Sequence, residues 1–282
     1  RESLTAEEKA AFDYVMDRSK RWFRSTPSTD DETEYRMSPF YQGLLQAPLV
    51  ASLWVQLTDV FGSAEARGSF TVREREWIRI VVPPMATYSA KDGIASEFHL
   101  VPYGKFALGG AGAVFVEATG VLREGRITNG CLGLWSDEHA RAMKPIARML
   151  KQQGSAAAIQ IGHGGRKSSM QRPWFGNGPL NDADLARGEE RWQVIGASPI
   201  PLAEGWLVPK EMDASDLKRT KQAFVDAALR ALDVGFEMVE IHMAHGYLLQ
   251  SFLSPLSNFR TDGYGTTLEG RMRYPLEVVD AV

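Results

Sequence analysis

The chain is short of cysteine, of histidine and of unbroken apolar runs. Its single cysteine, Cys131, excludes an internal disulfide and fits a reducing compartment. No apolar run approaches the roughly 20 residues a helix needs to cross a bilayer. Net charge is only −3 across 282 residues, so no broad attraction to nucleic acid or an anionic membrane follows. No histidine precedes His99, and the first residue is Arg1 rather than Met, with no signal peptide in view. A cytosolic setting is the default expectation. What the chain has is apolar content. At 44% hydrophobic and 24% charged it can bury a sizeable core.

Its character changes near residue 78. Before that point the patterning is helical. Thr5 and Glu8 form a capping-box pattern, and Phe12, Val15, Met16, Trp22 and Phe23 follow at helical spacing. Beyond it the rhythm becomes strand, glycine, helix, strand. Four short apolar runs read as strands: Ile80–Val82, Ala113–Glu117, Ala156–Ile161 and Met238–Ile241. Helices fit at about 99–109, 137–153 and 214–234, the last capped by Asp213 or Ser215 and closed by Gly235. Strands alternating with helices imply parallel βαβ units, hence an α/β fold. The stretch 163–212, rich in Gly, Pro and Trp, reads as an excursion where lids and binding loops sit. Two segments are expected: helices over 1–77 and an α/β unit over 78–282.

The richest string is 236–247, Phe-Glu-Met-Val-Glu-Ile-His-Met-Ala-His-Gly-Tyr. It places His242, His245 and Tyr247 at the C-terminal end of a strand, the end where α/β barrels carry their chemistry. From these residues alone, a satisfied loop pair and a metal pair remain alternatives to catalysis. The glycines at 109, 110 and 112 precede a strand, whereas a dinucleotide fingerprint follows one, so they read as a helix end and turn. His139, at a helix start beside Trp135, reads as structural.

From Arg79 to Val282 the chain resembles the old yellow enzyme family of flavin mononucleotide (FMN) reductases. The matching strings are Pro84-Met85 with Tyr88-Ser89, Val116-Glu117-Ala118-Thr119, Gly125-Arg126-Ile127-Thr128, Gly133 to His139, Gln160 to Lys167, Pro173-Trp174 and 236–265. Phe40–Glu76 faintly resembles a carboxymuconolactone-decarboxylase-like helical segment.

The resemblance implies a (β/α)8 TIM barrel and hydride transfer from NAD(P)H through FMN to an activated alkene. It assigns His242 and His245 to the substrate oxygen and Tyr247 to proton donation. Pro84, Met85, Ala86, Ala118 and Gln160 are placed along the flavin ring. Arg166 and Lys167 stand near the flavin or its ribityl chain, with a solvated surface pair as the alternative. Tyr88 is placed in the substrate pocket or as a packed tyrosine. Ala86 departs from the Cys or Thr often found there. The chain ends after a fourth strand, whereas such a barrel has eight and about 250 residues. The expectation is therefore the first four βα units and an incomplete site that binds FMN weakly or not at all, completed by further chain or by assembly, a homo-oligomer included. Two other readings stand beside it: a metal-dependent barrel hydrolase using His242, His245 and His163, and a helical interaction module with a vestigial barrel half.

Overall fold

The computed structural model describes residues 81–282. The helices expected over 1–77, the Thr5 cap and the strand position at Ile80 lie outside the described residues.

The described part is α/β with a parallel sheet. In chain order it comprises β1 (Val81–Val82), α1 (Glu97–Leu108), β2 (Ala113–Gly120), α2 (Asp137–Gln152) and β3 (Ala156–Gly162). There follow α3 (Asp182–Ala186), β4 (Ile195–Gly196), β5 (Lys210–Glu211), α4 (Ala214–Val234), β6 (Met238–Ile241), α5 (Leu248–Leu253) and α6 (Leu268–Ala281). The main sheet runs β1-β2-β3-β6 with every neighbour parallel. No helix among the described residues is long and apolar enough to cross a membrane.

Parallel strands covered on both faces read as continuous apolar runs. β3, Ala-Ala-Ala-Ile-Gln-Ile-Gly, is buried at every position. Its three alanines leave room for α2 and α4 to pack close. β2 extends to Gly120, three residues beyond the expected Glu117. Its register against β3 shifts between Val116 and Thr119, where β2 carries one extra residue. Such a bulge re-aims side chains, and here it lies at Glu117 and Ala118.

The helices follow their caps. α4 starts where Asp213 accepts from the Ser215 and Asp216 amides, while Asp216 accepts from the Asp213 amide. It stops at Gly235, whose φ of 102° is left-handed. Leu217, Thr220, Phe224, Ala227 and Ala231, at helical spacing, form its buried stripe. α1 begins at Glu97, two residues before the expected start, because the Ser96 amide donates to His99 Nδ1 and closes the first turn there. The excursion 163–212 holds more structure than its composition suggested. It carries α3, 3-10 turns at Gly165–Lys167 and Pro173–Phe175, and the short parallel pair β4–β5. Arg260 ties that pair down by donating to the carbonyls of Ala197 and Met212.

Candidate active site

Parallel strands bring their C-terminal ends to one edge, and the loops there enclose a cleft of about 340 Å³. Pro83, Pro84, Ala86 and Tyr88 come from the loop after β1, and Ala118 from β2. Gln160 comes from β3 and Glu240 from β6, followed by His242, His245 and Tyr247. The cleft therefore collects eight residues singled out from the sequence: Pro84, Ala86, Tyr88, Ala118, Gln160, His242, His245 and Tyr247.

Gln160 and Glu240 are register partners on neighbouring strands. Gln160 Nε2 donates to Glu240 Oε1 at 2.8 Å. That bond fixes which end of the amide faces which way. It leaves the carbonyl oxygen and a second N–H for a ligand.

His242 is the first residue past β6, and its amide donates to Ile161 O at 2.9 Å. Gly162 lets it approach, since a Cβ there would lie 3.1 Å from His242 Cβ. The Ala244 amide donates to His242 Nδ1 at 3.2 Å. A neutral His242 must then carry its proton on Nε2, which lies 3.3 Å from His245 Nδ1. The His242 Nε2–H donates to His245 Nδ1, and the remaining N–H sits on His245 Nε2. Burial, then the nearby His245, holds His242 below the ordinary histidine range, so it is neutral at pH 7.

His245 sits at φ 58° and Gly246 at φ 76°, a tight left-handed turn that sends the chain into α5. A histidine there is strained. Lys167 steadies it by donating to His245 O at 2.9 Å. The Lys167 ammonium also lies 5.1 Å from the centre of the Tyr247 ring. The Tyr247 ring meets His242 edge-on, with centroids 4.9 Å apart. Burial pushes the Tyr247 phenol up, so it holds its proton at neutral pH.

Three of the expected residues are not among those lining the cleft. Met85 is 58% exposed and does not line the cleft. Arg166 donates to the carbonyls of Ile200 and Pro201 in the excursion. Lys167 is engaged with the His245–Tyr247 turn. His163 is buried, with Nδ1 accepting from the Gly165 amide. Among the described residues no group of three or more His, Cys, Asp or Glu side chains could hold a metal ion, so the hydrolase reading lacks a ligand set. His139 bonds Ser136 Oγ and Asp92 O and stacks on Trp135, a packed structural histidine.

Glu240, Pro83 and Ile127 also line the cleft, without a role expected from the sequence. Glu240 was within reach. Side chains alternate along a strand, so a residue two before His242 shares its face.

The chain belongs to the NADH:flavin oxidoreductase / NADH oxidase family, whose profile matches residues 69–282. It is 42% identical over 206 residues to a NADPH dehydrogenase of Geobacillus thermodenitrificans (strain NG80-2), covering 72% of this chain and 55% of that one. It is 41% identical to a NADPH dehydrogenase of Bacillus subtilis (strain 168), again over 72% and 55%. Among solved structures it is similar to morphinone reductase, with TM-score 0.60 and 27% identity over 72% of this chain and 54% of that one. An old yellow enzyme from Pichia sp. AKU4542 gives TM-score 0.61 and 27% identity over 72% and 52%. The chain spans about half the length of the curated relatives it matches.

Proposed function

We propose that this chain carries the substrate-reducing half of an FMN-dependent NAD(P)H oxidoreductase of the ene-reductase type. On this reading residues 78–282 are the first four βα units of a (β/α)8 barrel, joined to a separate segment, 1–77. The observation that carries it is the convergence of two imidazoles and a phenol on one cleft that Pro83, Pro84, Ala86 and Ala118 also line.

The cleft fits the ring of FMN. Pro83, Pro84, Ala86 and Ala118 offer a smooth wall to a planar heterocycle, and Gln160 offers donor and acceptor to its pyrimidine edge. Among the described residues no lysine or arginine lines the cleft, so these residues address the ring and not the phosphate. Bound there, FMN supplies a hydride taken from NAD(P)H.

The protein's part is to bind and polarise an enone. The substrate's carbonyl oxygen gains negative charge as hydride reaches the β-carbon. N–H groups aimed at that oxygen stabilise it more in the transition state than in the ground state. His245 Nε2–H is free for it. His242 Nε2–H becomes free when the oxygen displaces the His242–His245 bond. Tyr247, kept protonated by burial, gives its phenolic proton to the α-carbon. Lys167 beside the ring eases the tyrosinate left behind.

Stopped-flow kinetics with FMN, NADPH and 2-cyclohexenone tests this. Tyr247→Phe should slow alkene reduction about 100-fold and leave flavin reduction by NADPH within about twofold, because a proton donor acts only in the second half-reaction. Equal losses in both halves would make Tyr247 structural and remove the reading's proton source.

A further inference from the structure

Directly behind the cleft wall lies a carboxylate that the reaction just described does not use. Glu117, at the bulge in β2, is fully buried. Ala118 beside it faces the cleft, and Glu117 turns the other way, toward α1. Its two oxygens are taken by three donors. The Thr87 amide reaches Oε2 at 2.8 Å, Thr87 Oγ1 reaches Oε1 at 2.7 Å, and Tyr103 OH reaches Oε1 at 3.0 Å. Tyr103 OH in turn accepts from the Glu117 amide at 3.0 Å. No lysine or arginine bonds this carboxylate among the described residues. Burial pushes its carboxyl up and the Thr87 and Tyr103 donors pull it back.

Burying an acid without a cation is costly, and the cost is offset only when every lone pair is satisfied. A hydrophobic residue would fill the space more cheaply. What Glu117 provides that an apolar side chain could not is a two-point hold on Thr87, through main chain and side chain together. The next residue is Tyr88, which lines the cleft at φ 52°, a left-handed conformation strained for a tyrosine. Arg172 Nη1 donates to Tyr88 O at 3.2 Å, and Gly130 lacks the Cβ that would collide with that carbonyl. Tyr88 is thus gripped at its carbonyl by one group and through Thr87 by another. The Trp174 ring meets the Tyr88 ring edge-on at 6.3 Å.

We propose that Glu117 is a positioning residue for the cleft: its carboxylate clamps Thr87 and so holds Tyr88, in its strained conformation, as the wall beside Tyr247. The clamp sets the distance between the loop after β1, which faces the ring, and the His242–Tyr247 turn, which faces the substrate. The functional part of this inference rests on the ene-reductase reading of the cleft.

Amide hydrogen exchange tests the clamp without any cofactor. In Glu117→Ala the Thr87 and Tyr88 amides should exchange about 100-fold faster than in the parent, with Ile159 in mid-sheet unchanged. Glu117→Gln keeps an acceptor for the Thr87 amide and lets the Thr87 hydroxyl turn to accept, so exchange should stay within about threefold. Unchanged exchange at Thr87 in the alanine variant overturns the proposal. So does equal acceleration at Ile159, which makes Glu117 an ordinary core residue.

Turnover of 2-cyclohexenone gives the functional arm. Glu117→Ala should raise KM about tenfold with kcat within about threefold, and glutamine should restore KM. Fallen kcat with KM unchanged contradicts a positioning role. Loss of all FMN binding in the parent chain would remove the ene-reductase reading, and the exchange result would still decide the clamp.

Discussion

β3 and β6 lie side by side in one sheet, yet every residue of β3 is buried while none of β6 is fully so. The contrast extends across the sheet. The middle strands β2 and β3 hold Val114, Val116, Ile159 and Ile161 out of water. The outer strand β1 exposes Val81. Most of the residues lining the cleft follow the outer strands. The loop after β1 brings Pro83 to Tyr88, and the turn after β6 brings His242 to Tyr247. The middle strands add only Ala118 and Gln160 to the cleft. Both non-glycine residues of the cleft with positive φ, Tyr88 and His245, sit in those outer loops. The middle strands serve as the floor, and the acid they bury, Glu117, has both oxygens hydrogen-bonded. The loops beyond the outer strands can carry strain; Arg172 and Lys167 donate to the carbonyls of Tyr88 and His245, and Thr87 donates to Glu117.

Three experiments would sharpen or break this contrast. The largest effect is expected in mid-sheet. Ile159→Ala should cost about 3–4 kcal/mol in urea unfolding, whereas Val239→Ala beside it on β6 should cost about 1 kcal/mol. Equal losses would mean that the outer strand is as much core as the inner one.

Next comes acid stability at the end of β3. Burial holds His163 down to about 4, against the pull of Glu124. The unfolded chain binds that proton near the ordinary 6.5. Between the two values the unfolded state holds more protons, so stability is complete above about pH 6.5 and falls as pH drops toward 4, by up to about 3 kcal/mol. Unfolding midpoints compared with His163→Gln across that window should show a flatter acid limb in the variant. Parallel limbs would mean that His163 does not stay neutral in the fold.

The smallest effect lies at the start of α4. Asp213→Ala removes a cap that accepts from two amides and should lower stability by about 1 kcal/mol. Thermal unfolding reads it directly. No change would mean that Asp216 and water satisfy the helix end unaided.

Much of the fold was legible because its signals are local. Asp213 and Gly235 bound α4 by hydrogen-bond and backbone rules that need no distant partner. The runs around Val114 and Ile159 are apolar because both faces of a parallel sheet are covered there. β4 and β5 gave no signal. Two-residue strands have no period, and Arg260, far along the chain, holds them. The start of α1 was misplaced because His99 acts there through a ring nitrogen.

The site divides the same way. Its residue types, His242, His245, Tyr247 and Gln160, stand in the sequence in the order and spacing that a strand end requires. Which of their neighbours join them was decided only by the tertiary structure. Arg166 turned to the carbonyls of Ile200 and Pro201, Met85 turned to solvent, and Glu117 reached back thirty residues to Thr87. The reason is physical. Strand periodicity and capping depend on a few adjacent residues. The direction of a long side chain, and the partner that satisfies a buried charge, depend on packing between segments far apart in the chain.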